Sequence, residues 1–177
     1  MQIIQHTLSA LVQDQPGVLS RIAGMFARRG FNIHNLTVGE TEKPGISRII
    51  MVVSGTENDV EQFTKQLYKL IDVLKVQDMT HIPCVQRELM LVKVNSTAAT
   101  RREIMDLAEM FRARIVDVSE ESLTLEVTGD PGKMVAIGKM LSGYGIREMA
   151  RTGMVATIRE SGVNTEFLRN QVEIVAS

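Results

Sequence analysis

The chain has 177 residues, 44% of them hydrophobic and 23% charged, with 20 Lys+Arg against 21 Asp+Glu for a formal charge of −1. A chain of this size buries roughly 70% of its unfolded surface, enough for one domain or two small ones. Both halves are balanced, with eight basic and eight acidic residues in 1–80 and twelve and thirteen in 81–177. This excludes a charged tail and the basic face that sequence-independent nucleic-acid binding needs. No run of about 18 apolar residues occurs, so no membrane span is expected. The start, Met1-Gln2-Ile3-Ile4-Gln5-His6, lacks the pattern of a secretory signal. With one cysteine, Cys84, no disulfide can form within a chain, and a cytoplasmic setting is expected.

In chain order, residues 2–12 alternate as a half-buried strand with Ile4, Leu8, Ala10 and Val12 on one face. Asp14-Gln15-Pro16-Gly17 breaks it. Leu19, Ile22, Ala23, Phe26 and Ala27 then predict one stripe of an amphipathic helix, ended by a left-handed Gly30. Residues 31–38 read as a strand whose phase slips near His34-Asn35, as a bulge would cause. Residues 42–45 make a turn and 46–53 the returning strand. Thr56 with Asp59 predicts a capping box, opening a helix lined by Val60, Phe63, Leu67 and Ile71. Residues 73–78 close a βαββαβ unit.

The order then repeats. Residues 88–94 form a strand, and Thr100 with Glu103 predicts the cap of a helix striped by Ile104, Leu107, Ala108 and Phe111. Residues 113–118 and 123–128 form a hairpin. Asp130-Pro131 opens a helix carrying Met134, Ile137, Gly138 and Leu141, stopped by Gly143 and Gly145. Residues 146–150 and 154–158 supply the last strands. The prediction is an α+β chain of two tandem ferredoxin-like βαββαβ sandwiches, at 1–80 and 87–160, linked by 81–86. A polar tail over 161–177 is expected to be mobile or a short helix. Right-handed crossovers order the strands 4-1-3-2, which leaves the second strand on an edge.

The strand-to-helix turn is the principal candidate site. Gly17 allows close backbone approach, and the first helical N–H groups, of Gly17, Val18 and Leu19, suit a carboxylate without any basic side chain. Asp14 beside them could hold an ammonium, so a free amino acid fits; ordinary turn chemistry accounts for the same residues. The edge strand over 31–38 carries no charge before Glu40, so it invites pairing with a second copy. Asn32 and Ile33 would then lie beside the partner's turn. Other candidates are weaker. His6 suits a core or edge, and His81 with Cys84 lacks a second pair for zinc. Lys133 after Gly129-Asp130-Pro131-Gly132 departs from phosphate-loop spacing and reads as a helix cap. The eleven methionines read as core filling, and Arg28-Arg29 and Arg101-Arg102 as solvated helix faces.

Asp14-Gln15-Pro16-Gly17 between strand and helix resembles the turn of ACT domains, which are amino-acid-sensing modules. Gly17-Val18-Leu19-Ser20-Arg21-Ile22, Arg29-Gly30-Phe31-Asn32-Ile33 and Leu36-Thr37-Val38 resemble the small regulatory subunit of acetolactate (acetohydroxyacid) synthase. So do Ser47-Arg48-Ile49, the run from Gln66 to Val73, the run from Arg87 to Val94, and Ala150-Arg151-Thr152-Gly153. The similarity runs in order through about residues 1–160. It implies a non-catalytic subunit that activates a large subunit carrying thiamine diphosphate, magnesium and FAD, with no cofactor of its own. It also implies feedback inhibition by valine or another branched-chain amino acid at an ACT dimer interface formed through edge strands. The implied effector site comprises Asp14, Gly17, Val18 and Leu19, with Asn32 and Ile33 from the neighbouring subunit. Asp14 stands where many members of that family carry Asn. A free-standing amino-acid sensor acting on another partner is the alternative.

Overall fold

A computed structural model describes residues 3–160. The tail expected over 161–177 lies outside the described residues. Thirteen elements are present among the described residues. The first unit contains β1 (Ile4–Gln13), α1 (Val18–Arg28), β2 (Ile33–Glu40), β3 (Ile46–Gly55), α2 (Glu57–Leu67) and β4 (Val73–Asp78). They form a four-stranded antiparallel sheet ordered β2-β3-β1-β4, the predicted order, with β2 and β4 outermost.

The register follows from alternation. β1 and β3 pair over ten positions, from Ile4 opposite Gly55 to Gln13 opposite Ile46. Successive side chains point to opposite faces, so Leu8, Ala10, Val12, Ile49, Met51 and Val53 share the face covered by both helices. The β2–β3 register shifts between Ile33 and Asn35, the bulge that the slipped phase predicts. Gly30 has φ +70°, and Phe31 N–H reaches back to Phe26 O at 3.2 Å. That Schellman closure ends α1 as the glycine predicts. The face α1 buries is rotated from the expected stripe, however. Val18, Ile22, Met25 and Phe26 are buried, whereas Leu19 is 43% exposed and Ala27 lies in solvent. Phe26 packs on Phe63 with ring centroids 3.8 Å apart, so the larger aromatic sets the helix rotation.

α2 opens on the predicted capping box: Asp59 N–H donates to Thr56 Oγ1 (3.3 Å), and Thr56 N–H to Asp59 Oδ2 (2.9 Å). Its buried side chains are Val60, Phe63 and Leu67. Ile71 does not continue this line. The helix stops at Leu67, and Ile71 is 90% exposed.

The second unit holds β5 (Cys84–Asn95), α3 (Arg101–Met110), β6 (Arg114–Val118), β7 (Ser122–Gly129), α4 (Pro131–Ser142) and β8 (Ile146–Arg151). The strands run β6-β7-β5-β8, and β9 (Val155–Ile158) also pairs with β5. The division into compact units falls between Val85 and Gln86, with residues 156–160 grouped with the first. β5 therefore begins inside the segment 81–86. Its core joins Met90, Val92 and Val94 to Leu123, Leu125 and Val127 beneath Ile104, Leu107, Met134, Ile137 and Leu141.

Asp130 caps α4 by accepting from Lys133 N–H at 3.0 Å, while Lys133 Nζ donates to Thr128 O at 2.7 Å. Lys133 is thus committed to the turn, as the cap reading holds. Thr100, by contrast, makes no side-chain cap to α3; it exchanges bonds with Thr97, and Glu103 accepts from the Tyr144 hydroxyl at 3.1 Å. Arg101 is no solvated residue either, since its Nη2 donates to Ser119 O (2.7 Å) and Glu120 O (2.6 Å). Among the methionines, Met105, Met110, Met140 and Met149 are exposed rather than core.

Thr56→Ala should lower stability by about 1 kcal/mol, the usual cost of losing a side-chain N-cap, measured as a shifted urea midpoint at unchanged m-value. The two bonds from Thr56 hold the Asp59 carboxyl below its usual range. A folded-state pKa below the unfolded value contributes stability that is present at neutral pH and lost as pH falls through the folded value. The gap between wild type and Thr56→Ala should therefore narrow in acid.

Candidate functional site: the β1–α1 turn

The end of β1 is pinned from both sides. Gln13 N–H donates to Asp72 O at 2.8 Å, and Asp14 N–H to Gly45 O at 2.9 Å. The chain then turns sharply: Val18 N–H donates to Gln15 O at 3.3 Å, with Pro16 and Gly17 between them. Gly17 has φ +84° and ψ −5°. These are the torsions of the third residue of a type II turn, where proline pre-sets the second position and glycine tolerates the third. Arg21 N–H donates to Gly17 O at 3.0 Å, so the turn residue is also the N-cap of α1.

No side chain caps this helix start. Gly17 offers no capping side chain, and the first turn contains no acidic residue. In α2 and α4, by contrast, a side chain takes one first-turn amide each, Asp59 N–H donating to Thr56 and Lys133 N–H to Asp130. Amides at the start of an α-helix have no intrahelical acceptor and sit at the positive pole of the macrodipole. The Val18 N–H is engaged by Gln15, which departs from the expectation of three open donors. The amides of Gly17 and Leu19 have no intrahelical acceptor. Asp14, Gln15 and Pro16 are exposed, Val18 is buried beneath the turn, and Leu19 projects outward beside it.

Arg21 and Asp72 belong to this site and escaped the sequence reading. Arg21 Nε and Nη2 both bond Asp72 Oδ2, at 3.0 and 2.6 Å. The Asp72 side chain is only 10% exposed. A Cβ added at Gly17 would lie 3.1 Å from Arg21 Nη1, so the guanidinium roofs one side of the turn. The available signal was spacing: helical side chains lean toward the N-terminus, so an arginine four residues after a helix-start glycine reaches back over it.

Asn32 and Ile33 do not join this turn within one chain. Ile33 pairs with Val53, while Gln13 pairs with Ile46 at the other end of β3. Seven residues of strand separate them, roughly 23 Å at about 3.3 Å per residue. Asn32 is exposed at that far end, and Ile33 packs partly against the core. His34 is likewise remote, with its Nε2 2.7 Å from Ser54 Oγ. No cluster of three or more His, Cys, Asp or Glu able to hold a metal occurs among the described residues, and no described helix is long and apolar enough to cross a membrane.

Two βαββαβ units, the first with an uncapped helix start behind a type II turn, define a tandem ferredoxin-like protein of ACT type. The family profile described as "AHAS small subunit-like ACT domain" matches residues 8–75, and that of "Small subunit of acetolactate synthase" matches residues 87–160. A probable acetolactate synthase small subunit of Methanothermobacter thermautotrophicus is 52% identical over 88% of this chain and 94% of its own length. The acetolactate synthase small subunit of Mycolicibacterium smegmatis is 51% identical over 87% and 91%. The chloroplastic small subunit 2 of Arabidopsis thaliana is 51% identical over 93% of this chain, which spans only 34% of that longer relative. The crystal structure of the Thermotoga maritima small subunit superposes with a TM-score of 0.82 at 44% identity, over 88% and 98% of the two chains. The chain belongs to the acetolactate synthase small-subunit family.

Arg21→Ala should destabilise more than Asp72→Asn. The first leaves a nearly buried carboxylate unpaired, whereas the second leaves a half-exposed guanidinium free to turn to water. Discounted for the exposure of Arg21, a loss of roughly 1–2 kcal/mol is expected for Arg21→Ala, measured by chemical denaturation.

Proposed function

We propose that this chain is the regulatory subunit of an acetolactate synthase, binding a branched-chain amino acid at the β1–α1 turn and acting on a separate catalytic large subunit. The observation that carries the proposal is the uncapped start of α1. A ligand carboxylate placed on the amides of Gly17 and Leu19 meets a positive pole that no side chain neutralises. The exposed Leu19 side chain gives an apolar contact for a branched aliphatic group, and Asp14 takes the ammonium.

A turn open to solvent on one side is an incomplete pocket. A second copy, paired antiparallel through the outer strand β2, would bring its own Asn32 and Ile33 to the turn and close the site. β2 supports this reading because it is outermost, carries no charge before Glu40, and leaves Val38 44% exposed. Feedback inhibition, with valine as the first effector to test, then follows from linkage: an effector that binds one arrangement of the paired units better shifts the population toward it. On this reading thiamine diphosphate, magnesium and FAD reside in the large subunit, and the present chain supplies no catalytic residue. The exposed Met105, Met110, Val118, Val135 and Met140 of the second unit offer apolar surface for that partner.

Calorimetry with valine, leucine and isoleucine tests the site. Gly17→Asp puts a carboxylate where the ligand's must sit and should weaken binding at least tenfold. Gly17→Ala carries the same left-handed strain, about 1–2 kcal/mol, without the charge, and should keep more affinity than the Asp variant. Asn32→Ala should cost about fivefold, the worth of one hydrogen bond. Wild-type affinity in Gly17→Asp would refute the turn as the carboxylate site. Added to a large subunit, the chain should raise acetolactate formation; no stimulation would refute the regulatory role.

A further inference from the structure

The guanidinium of Arg21 is half used. Asp72 Oδ2 accepts from one edge of it, from Nε at 3.0 Å and from Nη2 at 2.6 Å. Nη1 has no hydrogen bond among the described residues. A guanidinium holds its N–H donors in a rigid plane. With the Nε–Nη2 edge on Asp72, the Nη1–Nη2 edge still offers two parallel N–H groups, the spacing that matches the oxygens of a carboxylate. The Arg21 side chain is 46% exposed and that of Asp72 10%, so the open part of the pair is the guanidinium. Its charge is permanent, because arginine stays protonated at every pH at which proteins fold.

Nη1 lies at the β1–α1 turn. A Cβ at Gly17 would stand 3.1 Å from it. Residues 17–21 span about one helical turn, roughly 5.4 Å of rise. A carboxylate held on the amides of Gly17 and Leu19 therefore stands within reach of Nη1. The first turn of α1 holds no acidic side chain, and Asp72 sits on the other edge of the guanidinium. Glycine at 17 thus does more than relax a torsion. A side chain there would press on Nη1 and stand between the guanidinium and the turn.

We propose that Arg21 is the cation of the effector site, its Nη1 edge receiving the ligand carboxylate, so that the site selects amino acids with a free carboxylate over the corresponding amino alcohols. The proposal rests on the β1–α1 turn as the effector site and gives that site a charged side chain. Helix-start amides carry only a partial charge, roughly +0.5 in all, and donate to any acceptor, the hydroxyl of an amino alcohol included. A guanidinium edge adds a full charge in a planar fork, which a carboxylate fits and a hydroxyl does not. The ion pair with Asp72 holds the side chain in place beforehand, so less freedom is lost when the ligand binds.

The test is calorimetry of the intact chain with valine and with valinol, which keeps the ammonium and the branched side chain but has no carboxylate. Arg21→Lys keeps a charge for Asp72 and gives up the planar edge. It should leave the urea midpoint close to wild type and weaken valine about tenfold, the worth of a charge-assisted hydrogen bond at a half-exposed site. The double variant Arg21→Gln with Asp72→Asn removes the cation without leaving a carboxylate unpaired, and should show the same loss. Valinol should bind wild type at least tenfold more weakly than valine. In an NMR titration of wild type, valine should shift the Arg21 Nε–H signal saturably, that signal being identified by its loss in Arg21→Lys. Wild-type valine affinity in both variants, or an unmoved Arg21 signal on a chain that binds valine, would overturn the role of Arg21 and leave the turn as the effector site. Wild type that does not bind valine, or binds valinol equally well, would overturn both.

Discussion

The route by which α1 leaves the sheet rests on one backbone torsion, the φ of +84° at Gly17. A type II turn over Gln15–Val18 needs a left-handed third residue, and only glycine adopts that conformation without strain. The turn sets where α1 leaves the sheet, and the helix then lays Val18, Ile22, Met25 and Phe26 on the sheet and leaves Leu19 outside. The same glycine leaves the helix start without a capping side chain. One conformational requirement therefore governs both the packing of the first unit and the chemistry available at its surface.

The turn is held by contacts from distant parts of the chain. Asp72 accepts from Gln13 N–H through its carbonyl and from Arg21 through its carboxylate, joining the entrance of β4 to the end of β1 and the first turn of α1. Gly45, in the hairpin turn between β2 and β3, holds Asp14 from the other side. The two outer strands are thus both tied, through their connecting turns, to the segment that carries Gly17.

Local rules recovered what is local. Alternation in β1, the Thr56–Asp59 box, the Asp130-Pro131 start of α4, the left-handed Gly30 and the bulge near His34-Asn35 each involve residues within a few positions of one another. The pattern around each is therefore visible without the fold. The expectations that shifted were those decided by tertiary contact. The α1 stripe rotated because Phe26 meets Phe63, a residue 37 positions away. Thr100 lost its expected cap because Thr97 competes for it, and Arg101 left solvent for carbonyls in the β6–β7 connection. Arg21 and Asp72, 51 residues apart, show no local signature of pairing. The Gly17 turn was legible as a candidate, but its residues alone could not separate a ligand site from an ordinary turn.

The second unit supplies an internal comparison for that separation. Its first helix follows its first strand as α1 follows β1, yet the connection Ser96-Thr97-Ala98-Ala99-Thr100 contains no glycine and closes on itself. Thr97 and Thr100 exchange hydrogen bonds, Arg101 N–H donates to Thr97 O at 2.9 Å, and the Arg101 guanidinium ties Ser96 to the carbonyls of Ser119 and Glu120. That helix start has no side-chain cap either, but the Arg101 guanidinium is spent on backbone carbonyls and Glu103 puts a carboxylate in the first turn, which disfavours a ligand carboxylate there. A repeated βαββαβ architecture therefore does not imply a repeated site. The two units diverge at this junction, where only the first has a left-handed glycine and a first helical turn free of acidic residues, and that difference is why the proposed amino-acid site falls in the first unit.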